Sequence, residues 1–144
     1  GVAGLGAWVR RDGRDTRLTG PVPARRGALY GTGFSYDPAV RREQFGSFLD
    51  TMENFSDMRR LGAASLDLCM VADGTLDGYS ERGLHEHDWA AGALIAHEAG
   101  AVVQRPDLPV PPALSGQEHS AGSAIANAYE KARVTSVIAA WAPC

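Results

Sequence analysis

A polar segment that runs directly into a long Ala-rich segment without proline constrains this chain more than any other stretch. Residues 79–88 read YSERGLHEHD, and residues 89–100 read WAAGALIAHEAG, a composition typical of a helix. We therefore predict a loop that leads into a helix N-terminus. Unpaired backbone N–H groups at such a terminus attract anions, so a carboxylate there can cap the helix, bind a metal ion, or do both. The candidate groups are Glu81, His85, Glu86, His87 and Asp88.

Two simpler explanations of this segment stay open. An Asp at the start of a helix is usually a cap and nothing more, which would account for Asp88. His85, His87 and Asp88 could instead form a zinc site. Histidines two residues apart, however, lack the four-residue spacing that places two ligands on one face of a zinc-binding helix.

Strand-like and helix-like segments alternate along the chain. We predict a hairpin turning at Asp12-Gly13, and strands within residues 26–36, 57–61, 75–81, 101–103 and 134–140. We predict helices over residues 38–53, 62–73 and 123–133, besides the one that follows residue 88. This order predicts an α/β layered domain with several parallel strands, whose ligands bind beyond the carboxyl ends of the strands. Glu81 would lie at one such end.

Two of the predicted helices differ in their apolar pattern. The helix from Pro38 is amphipathic and should lie on a sheet, with an apolar face of Val40, Phe45, Phe48, Leu49 and Met52. The helix from Gly62 to Asp73, which Gly74 can stop, is apolar nearly all round and should be buried: Ala63, Ala64, Leu66, Leu68, Cys69, Met70, Val71 and Ala72. The small residues Gly62, Ala63 and Ala64 at its start would let a ligand approach the backbone, or would serve close helix packing.

Composition narrows the class of protein. The chain has 144 residues, 44% of them hydrophobic and 22% charged, with a net charge of -3, which fits one globular domain or a fragment of a larger protein. This charge gives no reason to expect nucleic acid or an anionic membrane as a partner. Two cysteines, Cys69 and Cys144, favour a reducing compartment, the cytoplasm. Residues 105–122, with four prolines, are predicted to form an exposed loop.

Several motifs resemble those of the inositol monophosphatase family of magnesium-dependent sugar phosphatases. Residues 87–92, HDWAAG, with HEAG at 97–100, are similar to the family signature W-D-x-A-A-G followed by E-A-G. Residues 59–68, RRLGAASLDL, resemble the R-x-x-G-S/T-A-A segment that precedes it. The resemblance extends over residues 4–103 and 134–143, and one departure is His87, where the family usually has Trp.

The resemblance implies a fold and a domain organisation. The chain should form the C-terminal half of a five-layer αβαβα fold. Residues 1–27 would be a hairpin that completes the sheet of an absent N-terminal half, and residues 28–144 a C-terminal α/β domain. The family motifs G-E-E/T and D-P-I-D-G-T, which hold further metal carboxylates and the water-activating pair, do not occur in these residues. We therefore expect a fragment whose catalytic residues lie elsewhere, and a homodimer as in the family.

The resemblance also implies an activity, namely Mg²⁺-dependent hydrolysis of a phosphate monoester, most simply inositol-1-phosphate. Asp88 would bind the metal near the phosphate ester, and Glu81 would accept a hydrogen bond from a substrate hydroxyl. Gly62, Ala63 and Ala64 would shape the floor of the pocket. The partner would be a small phosphate ester, with no nucleic acid and no membrane. The alternative is a non-catalytic binding or assembly module that keeps the fold without the chemistry.

Overall fold

The computed structural model describes residues 1–22 and 26–104, and the backbone of residues 136–140. Seven strands and three helices lie within these residues. The strands are β1 (Trp8–Arg11), β2 (Arg14–Arg17), β3 (Leu29–Thr32), β4 (Asp57–Arg59), β5 (Gly78–Arg82), β6 (Val102–Gln104) and β7 (Ser136–Ala140). The helices are α1 (Pro38–Met52), α2 (Ala64–Ala72) and α3 (Glu86–Glu98).

Five of the strands form one mixed sheet in the order β4-β3-β5-β7-β6. Strands β4, β3 and β5 are parallel neighbours, whereas β7 runs antiparallel to both β5 and β6. The predicted α/β class with parallel strands is therefore confirmed, with an antiparallel strand inserted at β7. The carboxyl end of β5 delivers Glu81 to one edge of this sheet.

Strands β1 and β2 form a separate hairpin. Its turn is Asp12-Gly13, with φ of 50° and 74°, the left-handed conformation that a tight hairpin turn requires. The segment before the hairpin is bound to α3, because the Glu98 carboxylate accepts hydrogen bonds from the backbone N–H groups of Gly4 and Gly6, both at 2.8 Å. That this hairpin completes another sheet stays a prediction.

The helices cover both faces of the five-stranded sheet. Side chains alternate along a strand, so Tyr30 and Gly31 of β3 face opposite sides. The Tyr30 ring packs against Phe48 of α1, at 6.2 Å between centroids, and against Phe55 at 4.8 Å. Gly31 faces Leu76 and Asp67 on the other side, where α2 and α3 lie. The result is three layers, with the core between the sheet and the α2–α3 pair.

Helix α2 corrects two predictions. It begins at Ala64 and not at Gly62, because Gly62 has a φ of 80° and Ala63 is extended, conformations that no α-helix contains. It is also not buried all round: Leu66 is 58% exposed, whereas Asp67 is fully buried. Since α3 and the sheet cover one side of α2 only, the residues on that side are enclosed whatever their polarity.

Helix α1 is confirmed in its bounds but not in its burial. Asp37 caps it by accepting from the N–H groups of Ala39 and Val40, and Pro38 occupies the first turn as predicted. Three of the predicted apolar residues are exposed, Val40, Phe45 and Leu49, and Gln44 is the buried residue of this helix. The helix contacts the sheet through the Phe48 ring on Tyr30 and through the pair of Glu43 with Arg82, and it does not lay a continuous apolar face on the sheet.

The remaining predictions lie at the edges of the described chain. Strand β5 begins at Gly78, later than the predicted residue 75, and β7 confirms a strand within residues 134–140. The predicted loop 105–122, the predicted helix 123–133 and Cys144 lie outside the described residues. Within the described residues, we find no helix with the length and apolar character that a membrane span needs.

Candidate functional site

Asp88 occupies the third position of α3, inside its first turn. Its Oδ2 atom accepts a hydrogen bond from the backbone N–H of His85 at 3.0 Å, which caps the helix start. Its Oδ1 atom lies 3.5 Å from Nε2 of His87, and the side chain is 39% exposed. One oxygen thus stabilises the helix while the other can reach a ligand, so the cap and ligand interpretations of Asp88 are compatible.

The donor set around Asp88 is small. Across the described ranges, no three His, Cys, Asp or Glu side chains come together in a way that could hold a metal ion. The rings of His85 and His87 stack on each other at 5.5 Å, and in the described part of the chain they form no group with Asp88 that could hold a metal ion, which gives the zinc interpretation no support. Magnesium requires near-octahedral oxygen coordination. Asp88 fits one position of such a site, and the described residues do not complete it.

Glu81 is held in place from two sides. The hydroxyl of Tyr79 donates a hydrogen bond to Oε2 of Glu81 at 2.7 Å. Below the carboxyl group lies the backbone of Gly33, and a β-carbon at that position would collide with all three carboxyl atoms. The neighbouring Arg82 pairs with Glu43 at 3.4 Å. The described contacts of Glu81 are therefore those of an oriented, half-buried carboxylate and not of a surface ion pair with Arg82.

A cleft of about 480 Å³ opens beside Glu81. Its wall combines the loop after β3, the first turns of α1 and the end of β5: Phe34, Ser35, Tyr36, Val40, Glu43, Gln44, Glu81, Arg82, Gly83 and Leu84. Among the predicted site residues, Glu81 lines this cleft, whereas Asp88 and residues 62–64 do not. The cleft is large enough for a molecule of the size of a monosaccharide or cyclitol.

The small residues 62–64 lie between β4 and α2. Gly62 is exposed, Ala63 is the N-cap of α2 without any side-chain hydrogen bond, and Ala64 is buried. The start of this helix therefore lacks the side-chain acceptor that a helix N-terminus usually has. Helix α3 crosses beside this start, since a β-carbon on Gly92 would lie 3.1 Å from the carbonyl oxygen of Ser65.

Asp67 is a buried acid that our sequence interpretation missed. It is fully buried, and neither carboxylate oxygen has a hydrogen-bond partner among the described residues. Burial, and then the negative charge of Glu81, raise the pKa of Asp67 from 3.8 to about 6. Burial also raises the pKa of Tyr79, together with its hydrogen bond to Glu81 and the charges of Glu81 and Asp67.

Two patterns in the sequence point to these missed residues. Ala64, Asp67, Leu68 and Val71 recur at helical spacing, which predicts that Asp67 shares the buried face. Gly31 and Gly33 recur at a spacing of two along β3 and its continuation, as do Tyr79 and Glu81 on the neighbouring strand β5, which predicts one shared sheet face.

Comparison with known proteins identifies the class. A model of the inositol monophosphatase family matches residues 1–140. "Inositol-1-monophosphatase" of Mycobacterium leprae is 42% identical over 128 residues, which cover 88% of this chain and 44% of the relative. "Nus factor SuhB" of Vibrio cholerae is 44% identical over 84 residues, covering 58% of this chain and 32% of the relative.

The solved structure of Mycobacterium tuberculosis SuhB superposes with a TM-score of 0.71 at 34% identity, covering 98% of this chain and 47% of that protein. The chain belongs to the inositol monophosphatase family. It spans less than half the length of these relatives and corresponds to their C-terminal part. The resemblance of its motifs to this family is thereby confirmed, as is the α/β fold.

Proposed function

We propose that this chain supplies the substrate-binding part of a Mg²⁺-dependent phosphate monoester hydrolase, with inositol-1-phosphate as the substrate. The observation that carries this proposal is the orientation of Glu81. Its carboxylate is fixed by Tyr79 over Gly33 and lines the cleft beside the sheet edge. A fixed carboxylate at the wall of a cleft of this size suits the hydroxyl of a polyol.

Asp88 would contribute one oxygen ligand to a Mg²⁺ ion, which would supply charge neutralisation and an activated water when bound. Asp88 suits this role because its Oδ2 atom is held by the helix cap while the side chain stays partly exposed. Gly62, Ala63 and Ala64, at the uncapped start of α2, would shape the floor of the pocket on the side of the metal. The name "Inositol-1-monophosphatase" of the relative from Mycobacterium leprae supports the same substrate. We further propose a cytoplasmic homodimer, as for the family.

Phosphate release from inositol-1-phosphate tests the proposal. The product of the complete reading frame that contains these 144 residues should release phosphate with Mg²⁺ and lose this activity with excess EDTA. The 144-residue chain by itself should release little or none, because its sequence lacks the family's other carboxylate motifs. Robust turnover by the 144-residue chain, or none by the complete product with Mg²⁺, would contradict the proposal.

The second candidate is a binding or assembly module without catalysis. The observation that favours it is that relatives from Vibrio cholerae and Haemophilus influenzae, each 44% identical, are named "Nus factor SuhB". Such a role would depend on the surface and not on Asp88. If Asp88→Asn abolishes phosphate release and the protein still binds its partners, then hydrolysis and binding are separate functions. If the native protein releases no phosphate from any monoester, the binding or assembly module without catalysis is the function that this result supports.

A further inference from the structure

Two glycines at alternate positions, Gly31 of β3 and Gly33 just after its end, leave the face of the sheet that looks towards α2 without side chains there. A β-carbon on Gly31 would lie 3.3 Å from Oδ1 of Asp67. A β-carbon on Gly33 would collide with the carboxyl group of Glu81. The two glycines therefore leave a strip of bare backbone, which Leu76 shares with the carboxylates of Asp67 and Glu81.

Asp67 has no evident structural task in this position. It is fully buried in the first turn of α2, with both oxygens unpartnered among the described residues. A buried carboxylate without a partner costs several kcal/mol in general, so an Asn or Leu would suit a purely structural role better. The charged neighbour that acts on Asp67 is Glu81 on β5.

Tyr79 donates a hydrogen bond to one of the two carboxylates and lies near the other. It is fully buried, its hydroxyl donates to Glu81, and its ring faces Gly31, where a β-carbon would lie 3.2 Å from Cδ2. The charges of both Asp67 and Glu81 act on this hydroxyl, and Tyr30 acts on it more weakly from β3. Asp67, Tyr79 and Glu81 thus form one buried group whose outer member lines the cleft.

We propose that Asp67 is a positioning residue for Glu81, and that its protonation makes recognition of the substrate hydroxyl depend on pH. When Asp67 carries a proton, Glu81 is the single charge of the group and stays over Gly33 with the Tyr79 hydroxyl. When Asp67 is ionised, two like charges share the strip and destabilise that placement. This inference rests on the proposed role of Glu81 in holding a polyol.

Carboxyl ¹³C NMR of the complete reading-frame product, without substrate, tests the coupling directly. Asp67 should titrate near pH 6, and Glu81→Gln should move its midpoint downwards, because one negative charge is removed. The control Glu53→Gln, a similar change at an exposed position, should leave the midpoint unchanged. An unchanged Asp67 midpoint in Glu81→Gln would overturn the inference.

Kinetics test the functional consequence. The KM for inositol-1-phosphate should rise roughly threefold or more as the pH increases through 6, and Asp67→Asn should keep it flat. The KM for a simple aryl phosphate, which has no hydroxyl for Glu81, should be flat in both proteins. If the KM of the native enzyme for inositol-1-phosphate does not change with pH, the inference is wrong, and the proposed function is unaffected.

A failure of this inference can be distinguished from a failure of the proposed function. If inositol-1-phosphate is not hydrolysed at all, the proposed function is wrong, and the NMR titration still decides whether Asp67 and Glu81 are coupled. If Asp67→Asn does not fold, the titration of native protein and Glu81→Gln decides the same question, because neither protein carries a change at position 67.

Discussion

Gly92 of α3 lies so close to Leu68 of α2 that a β-carbon at position 92 would stand 2.8 Å from the β-carbon of Leu68. This contact fixes how the two helices cross. Asp88 lies four residues before Gly92, about one helical turn away on the same face of α3. The close approach at Gly92 therefore helps to set the distance of the first turn of α3, which carries Asp88, from α2.

Gly92→Ala should destabilise the protein by about 1–3 kcal/mol, because the added methyl group forces two packed helices apart. Gly46 in α1 is the matched control, since a β-carbon there would meet nothing within 4 Å. Gly46→Ala should stabilise by about 0.5–1 kcal/mol through helix propensity alone. Urea unfolding of both variants measures the difference. Equal effects would show that α2 and α3 are not in tight contact at this position.

Asp88→Asn separates the cap from the metal ligand. Asn caps a helix about as well as Asp, so the melting temperature without Mg²⁺ should change little. Loss of the charge should lower phosphate release by the complete reading-frame product by roughly two orders of magnitude or more, because the metal loses an anionic ligand. Near-normal turnover at saturating Mg²⁺ would leave Asp88 as a cap only.

Glu81→Gln should change substrate preference and not the chemistry. A hydrogen bond from a substrate hydroxyl to a carboxylate contributes on the order of 1.5–3 kcal/mol, so kcat/KM for inositol-1-phosphate should fall roughly ten- to hundredfold. Hydrolysis of an aryl phosphate should barely change. An equal loss on both substrates would indicate a general catalytic or metal-binding role for Glu81 instead.

Asp67→Asn should change how stability depends on pH. Folding raises the pKa of Asp67 from 3.8 to about 6, so the folded state binds this proton more tightly. Its contribution to stability is complete below pH 3.8 and is lost as the pH rises through about 6. Asp67→Asn should therefore be more stable than native protein at pH 7, by about 1–3 kcal/mol, and this advantage should disappear below pH 4. Denaturant unfolding across this pH range measures the difference. A stability difference between the two proteins that does not change with pH would contradict the prediction.

Glu98→Gln should release the N-terminal segment from α3. The Gly4 and Gly6 N–H groups lower the pKa of the Glu98 carboxyl by hydrogen bonding to it, so this interaction favours the folded state above the ordinary pKa and weakens as the pH falls. A neutral amide accepts these bonds more weakly than a carboxylate. Amide hydrogen exchange at Gly4 and Gly6 should accelerate in the variant and be unaffected in Glu53→Gln. Unchanged exchange would show that the segment is held by other contacts.

Local features of the sequence determined the helices and strands and were enough to identify the family. The turn at Asp12-Gly13, the cap at Asp37-Pro38 and the stop at Gly74 depend on backbone preferences of single residues, so helix α1, the hairpin and the alternation of strands and helices could be predicted. The HDWAAG motif identified the family for the same reason, since it needs no knowledge of distant residues. Glu81 and Asp88 were candidates on these grounds alone.

Only the tertiary structure decided which side chains are enclosed and which meet. Leu66 is exposed and Asp67 buried because α3 and the sheet cover one side of α2, and no local preference encodes that choice. The contact of Glu81 with Gly33 likewise depends on the register of β3 beside β5, two strands separated by more than forty residues of chain. Burial and like-charge coupling arise from such distant neighbours, so the group of Asp67, Tyr79 and Glu81 exists only once the chain has folded.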